Sequence, residues 1–135
     1  MYEVVANNEG GEIKEFQIKY QMRSHMDIVR GVQFVGEIDS LATVSEDCTV
    51  KLWNLKGIDQ ANQDTDGNLE PYITLRGHTG PLFAVTGGHP VHKKAIFTAG
   101  LEGVIRVWNL PAINEVNQFG DTFDGKNYCI GAWSD

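Results

Sequence analysis

The chain is 135 residues long, 41% apolar and 21% charged: enough for one domain with its own core, and without the apolar run that a membrane-spanning helix needs. Its formal charge of -7 repels phosphate backbones and acidic headgroups, and the cluster His92, Lys93, Lys94 is too small to reverse that, so no direct nucleic-acid binding is expected. Residues 1–10 carry two glutamates and neither the basic nor the apolar part of a secretion signal, so the expected location is cytoplasmic, with Cys48 and Cys129 as reduced packing residues.

Short apolar or alternating runs between turn residues recur along the chain, and none sustains a helical period. The first group of strands is expected at 29–35, 41–45, 49–55 and 72–76. A polar insert at 57–68, rich in Asp, Asn and Gln, reads as a loop. The second group is expected at 82–86, 95–99 and 104–110 and, after a loop rich in Gly, Asp and Asn, at 127–133. The two groups are copies. Ser24-His25 is followed by Thr43, Asp47, Trp53 and Asn54, and Gly77-His78 by Thr98, Glu102, Trp108 and Asn109. His and Trp stand 28 positions apart in the first copy and 30 in the second, and the two tryptophans are 55 apart.

Two copies of His…Thr-x-x-x-acid-x-x-x-x-x-Trp-Asn at matched spacing resemble WD40 repeats, whose period is about 40–45 residues; the surplus here lies in the polar insert. The resemblance implies an all-β chain, a partial WD40 β-propeller with about two four-stranded blades of a seven-bladed ring. Residues 24–78 would be the first repeat and 79–133 the second, with 12–23 as an outer strand that closes the ring. It also implies a buried structural tetrad in each blade: His25, Thr43, Asp47 and Trp53, then His78, Thr98, Glu102 and Trp108. In such a tetrad the acid accepts from the imidazole, which meets the hydroxyl, which meets the indole N–H, so each buried polar group has a partner. Glu102 departs from the usual Asp, and its longer arm is expected to weaken or reshape the second network.

The likeness is narrower than WD40 at large. Arg23-Ser24-His25-Met26-Asp27 and Ser45-Glu46-Asp47-Cys48-Thr49-Val50-Lys51-Leu52-Trp53-Asn54-Leu55 resemble the first blade of the striatin family. Glu70-Pro71-Tyr72-Ile73-Thr74-Leu75-Arg76-Gly77-His78-Thr79-Gly80-Pro81 resembles the striatin segment joining first and second blades. The resemblance runs from about Lys19 to Leu110, weakens after Pro111 and is absent before Phe16; it includes Trp-Asn where most WD40 proteins have Trp-Asp. Ser134-Asp135 stands where a third repeat would open, so the remaining blades are expected on a longer chain or on other subunits. The coiled-coil region that precedes the striatin propeller has no counterpart in this sequence.

Other chemistries fail on their own terms. Asn62-x-Asp64-x-Asp66-Gly67 imitates the start of a calcium loop, but the twelfth position is Ile73 instead of Glu and the flanks read as strands. His89-x-x-His92 is half of a metal site with nothing to complete it, in a stretch that reads as a turn, so no metal or other cofactor is expected. Gly100-Leu101-Glu102-Gly103 lacks the Gly-Lys-Ser/Thr of a phosphate cradle, and no nucleophile or acid pair is placed for catalysis. The chain is expected not to be an enzyme.

Partner binding is expected at the rim loops, through Met26, Asp27, Glu46, Thr79, Pro81 and Leu101. The striatin resemblance implies a non-catalytic interaction scaffold with a regulatory role in assemblies that join protein phosphatase 2A to kinases. The alternative is a small-ligand or carbohydrate-binding propeller assembled from several short chains. Two blades alone would leave apolar faces open, and Val50, Leu52, Val104, Ile105 and Val107 are the residues expected to be partly uncovered.

Overall fold

The computed structural model describes residues 2–6, 13–18, 20–56, 68–116 and 128–134. They belong to two compact units, Met1–Ser24 with Gly57–Glu70, and His25–Lys56 with Pro71–Asp135. In the first unit, strands β1 (Tyr2–Ala6) and β2 (Ile13–Ile18) pair antiparallel, while β3 (Gln21–Met22) pairs in parallel with β7 (Asn68–Leu69). The stretch 12–23, expected as a single outer strand, thus carries two short strands with different partners. Of the insert expected as a loop, 57–67 lie outside the described residues and Asn68 opens β7.

The second unit holds two antiparallel four-stranded sheets. One is β4 (Val29–Val35), β5 (Ser40–Ser45), β6 (Val50–Asn54) and β8 (Ile73–Leu75), hydrogen-bonded in that order. The other is β9 (Leu82–Thr86), β10 (Ala95–Gly100), β11 (Ile105–Asn109) and β12 (Cys129–Trp133), also in chain order. The strands expected at 29–35 and 82–86 have the observed bounds, and the others differ by one or two residues at their ends. Asn127, expected to open the last strand, lies outside the described residues.

Local chemistry shapes the turns. Cys48, between β5 and β6, sits in the left-handed region at φ 73, and Gly103 takes the matching place between β10 and β11 at φ 76. The first blade therefore forces a side chain into a conformation that the second leaves to glycine. At Gly100 a Cβ would lie 2.0 Å from the Pro81 carbonyl oxygen, and the Leu101 N–H donates to that oxygen at 2.9 Å. Only glycine allows that approach.

Register sorts each sheet into two faces. On the first, Val32, Thr43, Lys51 and Thr74 lie in one row and Phe34, Leu41 and Trp53 in the next; Gln33, Ala42, Leu52 and Ile73 lie on the opposite face. On the second, Val85, Thr98 and Arg106 oppose a face made of Phe97, Val107 and Gly131 with Ala99, Ile105 and Trp133. The blades pack with the Val85 face of the second on the Gln33–Ala42–Leu52 face of the first. A Cβ on Gly31 would lie 3.0 Å from Val85, and one on Gly87 would lie 3.4 Å from Gln33. Val44, Val50, Leu52, Leu75, Leu82, Ile96 and Trp108 are closed between the sheets in one core. Tyr72 ties the blades at the edge: its hydroxyl bonds Ser40 Oγ and donates to the Pro111 carbonyl, each at 2.9 Å.

This packing corrects part of the expectation about uncovered residues. Val50 and Leu52 are fully buried because their face is the one the second blade covers. Val107 is also buried; the Trp133 ring folds back over Gly131, its register partner. Val104 is half-buried and Ile105 exposed. Besides Ile105, the exposed apolar residues of these faces are Val32 and Phe34 on the first blade and Phe97 and Trp133 on the second.

Candidate functional site

The structure brings the members of each tetrad together. In the first blade, His25 Nδ1 lies 2.9 Å from Asp47 and Nε2 2.7 Å from the Thr43 hydroxyl, which accepts the Trp53 indole N–H at 2.9 Å. In the second, His78 Nδ1 bonds Glu102 and Nε2 lies 2.6 Å from the Thr98 hydroxyl, which accepts the Trp108 N–H at 2.8 Å. Donor logic settles the tautomer. A carboxylate can only accept, so Nδ1 of the neutral imidazole carries the ring proton, and the threonine oxygen, which accepts from the indole, gives its own proton to Nε2.

Each acid does a second job. Asp47 accepts the Met26 N–H at 2.9 Å and Glu102 the Thr79 N–H at 3.0 Å, so both fix the residue that follows the histidine and opens the rim loop. Asp47 also takes the Thr49 N–H at 2.9 Å and hydroxyl at 2.6 Å. Val104, at the matching place in the second blade, has no hydroxyl; there Thr79 donates its own to Glu102 at 2.7 Å. The longer arm of Glu102 therefore serves His78 and Thr79 together: of the two expectations, a weakened or a reshaped second network, the geometry corresponds to a reshaped one. Glu102→Asp is expected to lower stability by about 1 kcal/mol through loss of one of these bonds, measured as a shift in the urea midpoint.

Burial pushes both imidazoles below the ordinary histidine range, against the pull of Asp47 on His25 and of Glu102 on His78. Burial also pushes the Asp47 carboxyl up, but the Thr49 hydroxyl, the Met26 N–H and His25 outweigh it and bring Asp47 to about 2. For Glu102, burial is likewise outweighed by Thr79 and His78, and it too falls to about 2. Both shifts have the same sign for stability. A histidine with a lowered folded pKa contributes stability above its unfolded value of 6.5, lost as pH falls below that toward the folded value. A carboxylate lowered from 3.8, as Asp47 is, contributes above 3.8 and loses its share as pH falls toward about 2. The melting temperature is therefore expected to decline in two stages, first below about pH 6.5 and again below about pH 4. Thermal melts across pH should show it, and His25→Gln with His78→Gln should flatten the first stage.

The rim residues divide by what they already touch. Met26 is 91% and Leu101 70% exposed, with apolar side chains at the loop tips. Asp27 accepts the Ile28 N–H at 2.7 Å, and Glu46 takes Arg30 Nη2 at 2.8 Å. Thr79 is committed to Glu102, and Pro81, half-buried, gives its carbonyl to Leu101. The sequence reading missed Thr49, Tyr72 and Arg106. Thr49 was within reach, because an acid two residues ahead of a Thr is an Asx-turn pattern. Tyr72 was not, since Pro111 lies 39 positions away. Arg106 has a buried Nε with no hydrogen-bond partner among the described residues, 3.9 Å from Glu102.

His89 and His92 stack at 5.0 Å between ring centroids, and His89 Nδ1 accepts the Val91 and His92 N–H groups at 3.2 and 3.1 Å, so that nitrogen caps a turn. Among the described residues no group of three or more His, Cys, Asp and Glu is placed to hold a metal ion. The pseudo-calcium residues 62–67 lie outside the described residues. Both cysteines are half-buried and unbridged. No helix among the described residues is long and apolar enough to cross a membrane.

The family profile "WD domain, G-beta repeat" (WD40) matches residues 16–54 and 69–109, together over half of the chain. The chain is 32% identical over 109 residues to a striatin homolog of Dictyostelium discoideum, covering 78% of this chain and 13% of the relative. It is 34% identical over 113 residues to mouse striatin-3 (84% of this chain, 14% of the relative), and 34% over 105 residues to human striatin (78% and 13%). The chain thus spans about one seventh of the length of these relatives. Among solved structures, the C-terminal WD40 domain of Sif2 superposes with a TM-score of 0.49 at 17% identity, over 66% of this chain and 21% of that one. The chain belongs to the WD40-repeat family, and within that family its repeats are of the striatin type.

Proposed function

We propose that this chain is a non-catalytic protein-binding platform of the cytoplasm, acting as a scaffold in assemblies of the striatin kind that join protein phosphatase 2A to kinases. The observation that carries the platform reading is the pairing of exposed apolar side chains with a fixed frame. Met26 and Leu101 hold bare apolar side chains in solvent, while the loop opening each blade is pinned through Asp47 or Glu102 to a buried tetrad. A preorganised loop with an apolar tip binds a partner without first losing its own conformational entropy. The phosphatase–kinase setting rests on the striatin likeness alone.

The tagged chain and its Met26→Asp, Leu101→Asp double variant, expressed in cells and captured side by side, test the reading. Recovery of phosphatase 2A subunits and their kinases is expected to fall roughly tenfold in the variant, a loss of about 1.4 kcal/mol, with no change in melting temperature. Equal recovery by both would move the binding surface off these loops. Platform partners without any phosphatase would leave the scaffold and remove this particular assembly.

A further inference from the structure

The two acids draw a hydroxyl donor from opposite places. In the first blade Asp47 takes the hydroxyl of Thr49, which is buried. In the second, Val104 stands where Thr49 does, and Glu102 takes the hydroxyl of Thr79, which is exposed. Met26, the counterpart of Thr79, has no hydroxyl and gives Asp47 its N–H alone. Glu102 Oε2 is held by both Thr79 bonds, at 2.7 and 3.0 Å, while Oε1 faces His78 and Arg106, whose Nε is 3.9 Å away. The connection 76–81 lies outside β8 and β9, with Arg76 exposed three residues ahead of Thr79. A Cβ on Gly80 would lie 3.8 Å from Leu101, and the Leu101 N–H bonds the Pro81 carbonyl. This connection therefore lies against the turn that presents Leu101 to solvent.

We infer that Thr79 is a phosphorylation site for a protein kinase that reads an arginine three residues before the acceptor, and that its modification frees the second rim loop from Glu102 and shuts the Leu101 side of the platform. Only the binding consequence rests on the platform reading. The transfer uses a nucleoside triphosphate. The Thr79 O–H bond breaks, that oxygen bonds the γ-phosphorus, the bond from phosphorus to the departing nucleoside diphosphate breaks, and the proton passes to the kinase's base. Three residues of extended chain place Arg76 about 10 Å along the backbone from the acceptor, where a kinase carboxylate can take the forked hydrogen bond of a guanidinium. The product carries a charge of about -2 at neutral pH. That charge arrives at Oε2, on the side of Glu102 turned away from Arg106, and replaces a hydroxyl donor by an anion facing a carboxylate. Thr49 is closed to the same enzyme by its burial, so the first blade keeps its frame.

The full chain, expressed in cells and recovered with phosphatases inhibited, is mapped by mass spectrometry. Phosphate is expected on Thr79 and not on Thr49, and Arg76→Ala should lower its occupancy several-fold. A chain made with phosphothreonine at position 79 is expected to melt a few degrees below the unmodified chain, with faster exchange of the Thr79 amide. Thr79→Val, which loses the hydroxyl without gaining charge, should fall between the two. In the capture experiment the phosphorylated chain should recover about one tenth of the partner that the unmodified chain does. Absence of phosphate at Thr79 overturns the inference. So does occupancy indifferent to Arg76→Ala, and so does a phosphorylated chain with the melting temperature and amide protection of the unmodified one. If the unmodified chain captures no partner, the platform reading fails, while the mass, melting and exchange results still decide the modification.

Discussion

Asp47→Ala is expected to destabilise the second unit by about 3 kcal/mol, seen as a lower urea midpoint with an unchanged slope. The carboxylate takes four donors: His25 Nδ1–H, the Met26 N–H, the Thr49 N–H and the Thr49 hydroxyl. Met26 is exposed and can turn to water. The His25 side chain, 3% exposed, and buried Thr49 cannot, and a buried donor left unmade costs about 1–3 kcal/mol. Asp47→Asn keeps the shape and one acceptor oxygen but turns an N–H₂ toward donors, so it should fall between wild type and Ala. Amide hydrogen exchange provides a local reading: the Thr49 and Met26 amides should lose protection before the strands do. A midpoint within error of wild type would mean that the Asp47 network does not hold the blade.

The second large effect is expected at Trp108. Its side chain is fully buried, donates its N–H to Thr98 at 2.8 Å, lies 6.2 Å from the His78 ring centroid and fills the space beside Gly77, where a Cβ would be 3.2 Å away. It also belongs to the core shared by both blades. Trp108→Ala removes that volume from the core between the blades, and truncation of a buried Trp costs about 3–5 kcal/mol. Trp108→Phe keeps most of the apolar contact and costs Thr98 only an accepted bond, so about 1–2 kcal/mol is expected. Trp53 and Trp133 remain as fluorescence reporters on the two blades. In Trp108→Ala their unfolding transitions should separate, because the coupling between blades is what the cavity removes; coincident transitions at the wild-type midpoint would show that the shared core is held elsewhere.

The tetrads were implied by the WD40 resemblance of the spacing, and for a definite reason. A histidine, a threonine, an acid and a tryptophan can satisfy one another only at fixed places on adjacent strands, and the chain states that arrangement twice, from His25 to Trp53 and from His78 to Trp108. The strands were legible because a period of two is a local property: β4 and β9 are bounded by turn residues that any one segment reveals. Which apolar row would be covered was not local. Alternation shows that Val32 and Leu52 lie on opposite faces of one sheet, but whether a face meets another sheet or solvent depends on how the second blade is rotated against the first. Thus Val50 and Leu52 are buried, and Val32 and Phe34 are not.

The same division runs through the polar residues. The sequence by itself determined an all-β repeat and the absence of a helical period, since both follow from spacing within a blade, and its WD40 resemblance implied the partners of His25 and His78. Tertiary structure alone decided that Glu102 reaches Thr79 as well as His78, that Tyr72 links Ser40 to the Pro111 carbonyl, and that Asp27 and Glu46 are already engaged within the rim. The physical reason is that a hydrogen bond depends on where two atoms meet in space. Only a repeated spacing carries that position back into the sequence, and these contacts occur once each.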